Sequence, residues 1–475
     1  MRIARTLTIV LVISLLVGAS ATASAKPARG GSSSADQLRF AEPVALESFS
    51  PLRTAVSRVY DSRSGKPPSD HEWSGEPVLQ VDKKGVVYIA GTCCLAASSP
   101  VWRSTDGKKF TEMESPGHVR EWGIGAEGDL AVDDEGNVYF VDTYIPGLLI
   151  SKWSDHGQKW EYTLPTSGVI PGFDDRPWIA WSEKGLYLYV NHVSHTEVYR
   201  STDGGKTWST FGPLSWDGKI TGQPYFPGHI AADRKTGTLW VAGTNADGQG
   251  SELLTSSVST DQGKTFTEAV VTRPQRSGGF SPIFTGAAAV DAAGTGYVTW
   301  STYDKEGCDV YYAYSSNNGK SWSDPIKASS GPGCATFPWI TADGDGGVGL
   351  AWYQTPTTKK ANVAQRFLRA ATGGTTLYGG IDLPLAAYQD ELPEDAPWYL
   401  HAAVIPKADT KRPRIYESRV PTETPVALGP LGRQLWDFLQ LDIGPDGRLH
   451  ITFASKFKDA APQTYYVTNT GGPKL

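Results

Sequence analysis

The feature that most constrains this chain of 475 residues is a short phrase that recurs along it. In its fullest form, Arg200–Trp208 (RSTDGGKTW), an Asp is followed by Gly two residues later and by an aromatic residue five residues later. The copies carry their Asp or Asn at Asp106, Asp155, Asp203, Asp261 and Asn317, the first being one residue shorter. Their spacing is about fifty residues, a period typical of propellers and repeat arrays.

A second phrase precedes each copy: a short apolar strand, an Asp/Gly turn and a second apolar strand. It occurs at 77–91, 129–142, 177–190, 229–243, 287–300, 339–352 and 438–453. Each unit therefore reads as two strands, a third strand, the Asp phrase and a fourth strand, joined by turn residues that permit tight hairpins. Gly, Trp and Tyr are abundant and helical patterns are scarce. The sequence predicts an all-β fold, a single β-propeller of seven four-stranded blades, with six or eight blades as alternatives.

The two ends of the predicted propeller, 39–475, complement each other. The last unit stops after a third strand at Thr464–Gly472, while Phe40–Leu46 resembles the strand that follows the other Asp phrases. We expect this N-terminal strand to complete the last blade and remove an exposed sheet edge. The sixth unit is about twice as long as the others, and we interpret 353–397 as an insertion within that blade. A hidden eighth blade is the alternative.

The first 25 residues have the pattern of a secretory signal peptide. Arg2 and Arg5 precede an apolar stretch, and Ala23-Ser24-Ala25 is typical of a cleavage site, so we expect cleavage after Ala25. Residues 26–38 read as a disordered leader. The mature chain is predicted to be secreted, monomeric and without a membrane span. The net charge of −6 argues against a nucleic-acid partner, which requires a basic surface.

The four cysteines fit an oxidising compartment. Cys308 and Cys334 are close enough in sequence to bridge a loop. Cys93 and Cys94 are adjacent, and a bridge between them would be strained because neighbouring Cα atoms lie only about 3.8 Å apart. We favour the pairs 93–94 and 308–334, with two free buried thiols at 93–94 as the alternative. No cysteine or histidine cluster predicts a zinc site.

The Asp phrases make residues 70–475 resemble the sialidase superfamily, whose propellers carry these phrases as BNR repeats or Asp-boxes. The resemblance implies a β-propeller that acts on glycans, with six blades in true sialidases. It also implies an arginine clamp for a carboxylate, an Asp acid/base and a Tyr nucleophile assisted by Glu. This chain has no Arg-Ile-Pro motif, and the nearest match is Asp174-Asp175-Arg176-Pro177-Trp178. Asp-boxes are turns, so they predict the fold rather than the chemistry.

Alignment of the units on their Asp/Gly turns predicts which side chains meet at the channel mouth, where the inner strands begin. The expected catalytic residues are Glu76, Asp129, Arg176, Tyr225, His229 and Asp437. The expected substrate-binding residues are Glu127, Asp175, Trp178, Trp339 and Trp436. Aromatic rings stack on sugars, Arg binds a carboxylate bidentately and paired acids perform acid/base catalysis. The structural alternatives are salt bridges among the acids and packing between blades for the two tryptophans on inner strands.

Three functions remain open on these residues. The first is a secreted glycoside hydrolase with Asp129, Asp437 or Glu76 as acid/base groups and Arg176 as the clamp. The second is a non-catalytic propeller that binds a glycan or protein. The third is a polysaccharide lyase in which His229 and Tyr225 act beside Arg176. No nucleotide motif or metal-ligand pattern predicts a cofactor, although a structural calcium ion near Glu127 and Asp129 fits the local acids.

Overall fold

The structure is a computed structural model, and it describes the parts of the chain that form the strands and their turns. The described residues are 37–47, 74–91, 99–114, 128–144, 147–166, 175–191, 196–213, 221–225, 228–246, 251–280, 287–358, 377–378, 381–382, 392–422, 424–429, 431, 435, 438–455 and 463–475. Their regular secondary structure is entirely β, and no helix among them is long and apolar enough to cross a membrane.

The described residues form thirty-three strands. The first ten are β1 (Arg39–Phe40), β2 (Val44–Ala45), β3 (Pro77–Val81), β4 (Val87–Gly91), β5 (Val101–Ser104), β6 (Thr111–Glu112), β7 (Gly128–Val132), β8 (Val138–Tyr144), β9 (Gly147–Ser154) and β10 (Lys159–Pro165). The next ten are β11 (Asp175–Ser182), β12 (Gly185–Asn191), β13 (Thr196–Ser201), β14 (Ser209–Pro213), β15 (Thr221–Tyr225), β16 (Ala231–Ala232), β17 (Leu239–Ala246), β18 (Glu252–Ser259), β19 (Thr267–Thr272) and β20 (Ala287–Val290). The last thirteen are β21 (Gly296–Asp304), β22 (Gly307–Ser315), β23 (Ile326–Lys327), β24 (Cys334–Asp343), β25 (Gly347–Thr355), β26 (Leu377–Tyr378), β27 (Ile381–Asp382), β28 (Pro397–Ile405), β29 (Tyr416–Arg419), β30 (Ala427–Leu428), β31 (Gln440–Ile443), β32 (Leu449–Ser455) and β33 (Gln463–Gly471).

The prediction of an all-β propeller is confirmed. The sheets follow one another along the chain, and in β3–β6, β7–β10 and β11–β14 the antiparallel strands run in sequence order from the centre outwards. The innermost strands touch their neighbours in a closed ring. Going round, that ring is β3, β7, β11, β16, β20, β24 and β31, which returns to β3. The N-terminal strands β1 and β2 both pair with β33, so the first described residues close the last sheet as expected.

The prediction of seven separate four-stranded blades was wrong. Five sheets of four or five strands stand alone as blades, whereas the strands expected for two further blades belong to one nine-stranded sheet. The two halves join where β22 pairs in parallel with β24, at Cys308 and Cys334. A disulfide links these same two residues, so the covalent bond and the sheet junction coincide. Cys93 and Cys94 lie outside the described residues, and their pairing stays a prediction.

The hairpin between the first two strands is held by one buried aspartate in several blades. In the β3–β4 hairpin, Asp82 Oδ1 accepts the backbone N–H groups of Lys84 and Val86, and its Oδ2 accepts the hydroxyl of Tyr88. Gly85 supplies the left-handed backbone conformation that the turn requires, at φ 81°. The same hydrogen-bond pattern recurs from Asp133 to Tyr139 and from Asp291 to Tyr297.

The Asp phrases form the turns between third and fourth strands. Asp203 Oδ1 accepts the N–H groups of Lys206 and Thr207, which fixes the turn after β13. The glycines of several phrases lie against the preceding sheet: a Cβ on Gly319, at φ 74°, would sit 2.5 Å from a methyl carbon of Val258. The phrase therefore shapes its own turn and allows adjacent sheets to approach closely.

Strand β25 pairs directly with β28, although 41 residues separate Thr355 from Pro397. The segment between them includes the small hairpin β26–β27. Its other described parts, up to 358 and from 392, flank the two paired strands.

We predict that the Cys308–Cys334 disulfide stabilises the fold. The two cysteines are 26 residues apart, and closing a loop of that size in the unfolded chain is worth about 3–4 kcal/mol. The double variant Cys308→Ser/Cys334→Ser should lose about this free energy of unfolding in urea titrations. Each single variant should lose at least as much. An unchanged unfolding midpoint in the double variant would show that the sheet junction alone holds these two halves together.

Candidate functional site

Seven residues occupy the same level of the central ring, because each lies four residues before the turn that ends its inner strand. The pairing registers of the first two strands give this alignment independently. The residues at this level, called here the ring layer, are Val78, Asp129, Trp178, His229, Ala287, Trp339 and Gln440. Four of them were predicted as site residues. The structure therefore brings Asp129, Trp178, His229 and Trp339 together near one end of the channel.

Asp129 is the most connected member of the ring layer and is fully buried. Its Oδ2 accepts the backbone N–H of Ile179, and its Oδ1 accepts the side-chain amide of Gln440. His229 Nε2 lies 3.4 Å from the same Oδ2. The side-chain oxygen of Gln440 in turn accepts the backbone N–H of Leu79. This chain of contacts connects inner strands from five sheets.

An aromatic cluster closes around His229. The ring centroid of Trp178 lies 5.5 Å from that of His229 in an edge-to-face arrangement, and that of Trp339 lies 5.3 Å from His229. The two tryptophan rings are 5.5 Å apart, and Phe438 packs against both. Trp178 and Trp339 belong to sheets that are not consecutive along the chain, so the cluster reaches across the channel axis. The His229 side chain keeps 15% of its surface exposed.

A cavity of about 340 Å³ occupies the channel next to this cluster. His229 and Trp339 form part of its wall at the ring layer, and small side chains such as Ala231 and Ala289 line its length. Towards the other end, the wall includes Asp442, whose Oδ2 accepts the N–H of Val81. Burial raises the pKa of the Asp442 carboxyl to about 6. Of the predicted site residues, His229 and Trp339 thus face the channel.

The far end of the channel is lined by charges that pair among themselves. Lys83 and Arg234 both contact Asp134, each at 2.6 Å. The guanidinium of Arg234 also lies over the ring of Trp181, 4.8 Å from its centroid. Lys83 and Arg234 therefore form ion pairs that connect neighbouring sheets at this end.

Three of the predicted site residues, Asp129, Trp178 and Glu76, are buried. Asp129 is fully buried, and both of its carboxylate oxygens accept hydrogen bonds from other residues of the protein. Trp178 is 1% exposed and covered by other rings, which matches packing between sheets rather than stacking on a sugar. Glu76 is 3% exposed at the start of β3, in a left-handed conformation at φ 44°.

Several predicted site residues lie beyond what the structure describes. Glu127, Trp436 and Asp437 fall outside the described residues. Asp175 and Arg176 belong to β11 and Tyr225 to β15, but only their backbone is described. Their proposed roles stay predictions. No group of three His, Cys, Asp or Glu side chains in the described part of the chain is placed to hold a metal ion.

Sequence reasoning missed three residues near the mouth. Gln440 and Phe438 lie in the apolar run FLQL, which carries no signal of function, and only the closed ring brings them to Asp129 and Trp178. Asp142 was missed because it lies within the largely apolar second strand β8. It pairs with Gly128 at the same end of the propeller and is 1% exposed.

Asp142 is a buried carboxyl with few compensating contacts. Its Oδ1 accepts the hydroxyl of Ser99 at 3.2 Å, while Oδ2 has no hydrogen-bond partner among the described residues. Burial raises the pKa of this carboxyl to about 7, against a smaller opposing effect from Ser99. The mouth end of the propeller therefore contains an acid that holds its proton near neutral pH.

Comparisons with known proteins give fold-level similarity only. No protein-family model matches the chain, and no curated protein matches it. Among solved structures, the chain is similar to a polysaccharide lyase at 11% identity and a TM-score of 0.45, covering 92% of this chain and 98% of that one. It is similar to an α-L-arabinanase of Penicillium chrysogenum at 11% identity and a TM-score of 0.40, covering 90% and 98%. A Hadza microbial sialidase matches at 15% identity and a TM-score of 0.41, over 59% of this chain and 63% of that one. These similarities carry no weight in the assignment of a function.

We predict that Asp129→Asn destabilises the ring layer. An amide offers one acceptor oxygen where Ile179 and Gln440 donate to two different oxygens of Asp129, so at least one buried donor loses its partner. The expected loss in the free energy of unfolding is about 3 kcal/mol. The control is Asp203→Asn in an exposed Asp phrase, where solvent replaces lost bonds and the loss should stay near 1 kcal/mol. Equal losses in the two variants would contradict the central role of Asp129.

We predict that Asp142 makes stability depend on pH. The folded chain keeps the Asp142 proton up to about pH 7, whereas the unfolded chain releases it near pH 4. Stability therefore falls as pH rises through this window, with a slope of about 1.4 kcal/mol per pH unit from this group. Asp142→Asn cannot ionise, so its stability relative to the wild type should grow between pH 5 and pH 7. Parallel curves for the two proteins, from denaturant titrations at each pH, would contradict the raised pKa.

Proposed function

We propose that this chain is a secreted, glycan-active β-propeller that cleaves uronate-containing polysaccharides by β-elimination, with His229 as its base. The observation that supports this best is the His229–Asp129 contact at the channel mouth, set between two tryptophan rings. His229 is the titratable side chain of the ring layer that keeps an exposed surface. The secretion and the glycan partner are part of the proposal.

Asp129 determines which nitrogen of His229 can act as the base. A carboxylate next to Nε2 favours the proton on that nitrogen, which leaves the lone pair on Nδ1. Because Asp129 is held by Ile179 and Gln440, it fixes the orientation of the imidazole ring. Asp129 is accordingly a positioning residue for a base rather than an acid that meets the substrate.

In this mechanism Nδ1 of His229 removes the proton from the sugar carbon that carries the uronate carboxylate. The carbon–oxygen bond to the departing sugar then breaks, and its electron pair leaves with the oxygen, which receives a proton from Tyr225. The product is a carbon–carbon double bond conjugated with the carboxylate. Arg176, two residues before Trp178 in β11, would neutralise that carboxylate and favour loss of the proton. Tyr225 lies four residues before His229, so both proposed partners belong to the segments that carry the aromatic cluster.

Hydrolysis fits the described geometry less well than elimination. A glycoside hydrolase needs two carboxyl groups that flank the bond at about 5–10 Å from each other. Of the two predicted acids that the structure describes, Asp129 is saturated with hydrogen bonds and Glu76 is buried. Elimination requires a base, an acid and a cationic group, for which we propose His229, Tyr225 and Arg176.

A propeller that binds glycans without cleaving them is the second candidate. One observation favours it: the hydrogen bonds of Asp129 join inner strands, and this structural role alone explains them. The aromatic cluster would then complete the closure of the channel. Binding without turnover by the purified chain would select this function.

The test is an assay of the purified mature chain on polyuronates and sialosides. Two signals are followed together: ultraviolet absorbance of unsaturated uronate, and new reducing ends. We predict absorbance with wild type and a fall of about 10³-fold in kcat with His229→Ala, because loss of a general base costs about 10²–10⁴-fold. Asp129→Asn should lower kcat less and shift its pH profile, since it changes the orientation of the base.

The matched control is His401→Ala. His401 also contacts a carboxylate, with Nδ1 3.1 Å from Glu417, and stacks on Trp352, but it lies on β28 away from the channel. Its removal should leave kcat unchanged. Reducing ends without absorbance would identify a hydrolase and overturn the elimination. Binding with neither signal would establish the second candidate.

A further inference from the structure

Small side chains keep the middle of the channel open. On four consecutive inner strands, the residue two positions after the ring layer is an alanine, at Ala131, Ala180, Ala231 and Ala289. All four line the cavity of about 340 Å³. Protein interiors are close-packed, so a space of this size persists only where the side chains around it are short. We call the part of the cavity at the level of these four alanines the channel chamber.

The three remaining inner strands place polar side chains at the same level. They are Gln80 on β3, Thr341 on β24 and Asp442 on β31, and these strands are neighbours in the ring. All three residues line the cavity and keep part of their surface accessible, although they lie within the ring. The channel chamber therefore has an apolar wall of four alanines and a polar wall formed by three neighbouring strands.

The contacts of Asp442 hold its carboxylate in place and leave it able to accept further hydrogen bonds. Oδ2 accepts the backbone N–H of Val81 at 2.8 Å, and Oδ1 accepts that of Ile443 at 2.8 Å. The hydroxyl of Thr341 lies 3.5 Å from Oδ1. Since a carboxylate can accept about four hydrogen bonds, a donor in the channel chamber can still bond to Asp442.

The side-chain amide of Gln80 is also available to a ligand. Val81, its neighbour in the chain, donates to Asp442, and Leu79 on its other side donates to Gln440. These contacts fix the strand on both sides of Gln80, whereas its own amide makes no hydrogen bond with any residue that the structure describes. Because a partly buried amide without a partner is costly, a ligand that pairs with Gln80 gains affinity.

The channel chamber is open at the end away from the proposed catalytic residues. There, the exposed residues Lys83 and Asp343 line the cavity. At the ring layer, by contrast, the rings of Trp178, Trp339 and Phe438 pack together across the axis. A small molecule can therefore enter from the far end without passing the aromatic cluster.

The groups that line the cavity favour a neutral, hydroxylated molecule. Hydroxyl groups both donate and accept, which matches a carboxylate that accepts and an amide that does both. Asp442 disfavours an anion, and Lys83 and Arg234 at the far end, which share the single acid Asp134, disfavour an organic cation. No group of three His, Cys, Asp or Glu side chains in the described parts of the chain is placed to hold a metal ion. The volume is in the range of pockets that enclose small molecules.

We propose that the channel chamber binds one neutral sugar of monosaccharide size, whose hydroxyl groups contact Asp442 and Gln80 and whose apolar face lies against the alanines. The site is separate from the mouth and does not depend on the elimination proposed above. The bound sugar bridges β31 and β3 through its own hydrogen bonds, so it also stabilises the closed ring.

The test is isothermal titration calorimetry of the purified mature chain with D-galactose, D-glucose, D-xylose and L-rhamnose. We expect at least one of these sugars to bind at a single site. Gln80→Leu keeps the approximate size of the side chain and removes its amide, so it should weaken that binding roughly tenfold, the effect of about one hydrogen bond. Asp442→Asn should weaken it by a similar factor. The matched control, Gln37→Leu, replaces an exposed glutamine before β1 and should bind like the wild type.

Several results would overturn the proposal. They are the absence of binding with all four sugars at their solubility limits, and equal affinities for the wild type and Gln80→Leu. Tighter binding of acetate or ethanolamine than of any sugar would show that the channel chamber takes an ion instead. Binding that is lost in Arg176→Ala but kept in Gln80→Leu would place the sugar at the mouth.

Urea titrations show whether a loss of binding is a loss of fold, and Gln80→Leu should keep the unfolding midpoint of the wild type. The assay on polyuronates tests the proposed function separately. Sugar binding that depends on Gln80, in a chain that cleaves no polyuronate, supports the channel chamber and contradicts the elimination.

Discussion

The contacts that side chains make across the central ring hold the structure together. Six of the seven inner strands in the described ring lie at the edge of their sheets, so one row of their backbone N–H groups has no neighbouring strand in the same sheet. Gln440 and Asp442 accept two such groups from Leu79 and Val81, and Asp129 accepts that of Ile179. Because unpaired buried donors are costly, these three side chains decide whether adjacent sheets can meet at the axis.

The same contacts explain why the mouth has one exposed titratable group in its ring layer. The carboxylate oxygens of Asp129 accept hydrogen bonds that join strands, and this fixed carboxylate also fixes the position of His229. A group that stabilises the fold therefore orients the proposed base, and a variant of Asp129 should affect stability and chemistry together. His229 itself is held by aromatic rings, so its removal should affect chemistry more than stability. This difference between neighbouring residues is the structural basis of the proposed mechanism.

The sequence predicted local features well and long-range features poorly. The hairpin turns and Asp phrases were recognised because their hydrogen bonds connect residues a few positions apart, as in Asp82 to Val86. The contact of Gln440 with Asp129 joins residues 311 positions apart and depends on the closed ring. The number of separate blades was wrong because one bridge at Cys308 and Cys334 joins two units, and strand patterns contain no information about such a junction. The burial of Trp178 could not be predicted either, because an aromatic residue at a strand start can be buried or exposed.

The pairing of β1 and β2 with β33 has a consequence for how the chain acquires its structure. Phe40 pairs with Asn469, so the first described strands have no partner until almost the entire chain has been made. Because sheets of this kind gain stability from contacts between distant residues, closure is a late and slow step of folding. A nascent chain would therefore keep the ring of inner strands open, with β1 and β2 unpaired, until β33 has been made. Shortened products that lack β33 would keep these strands unpaired and would be prone to aggregation.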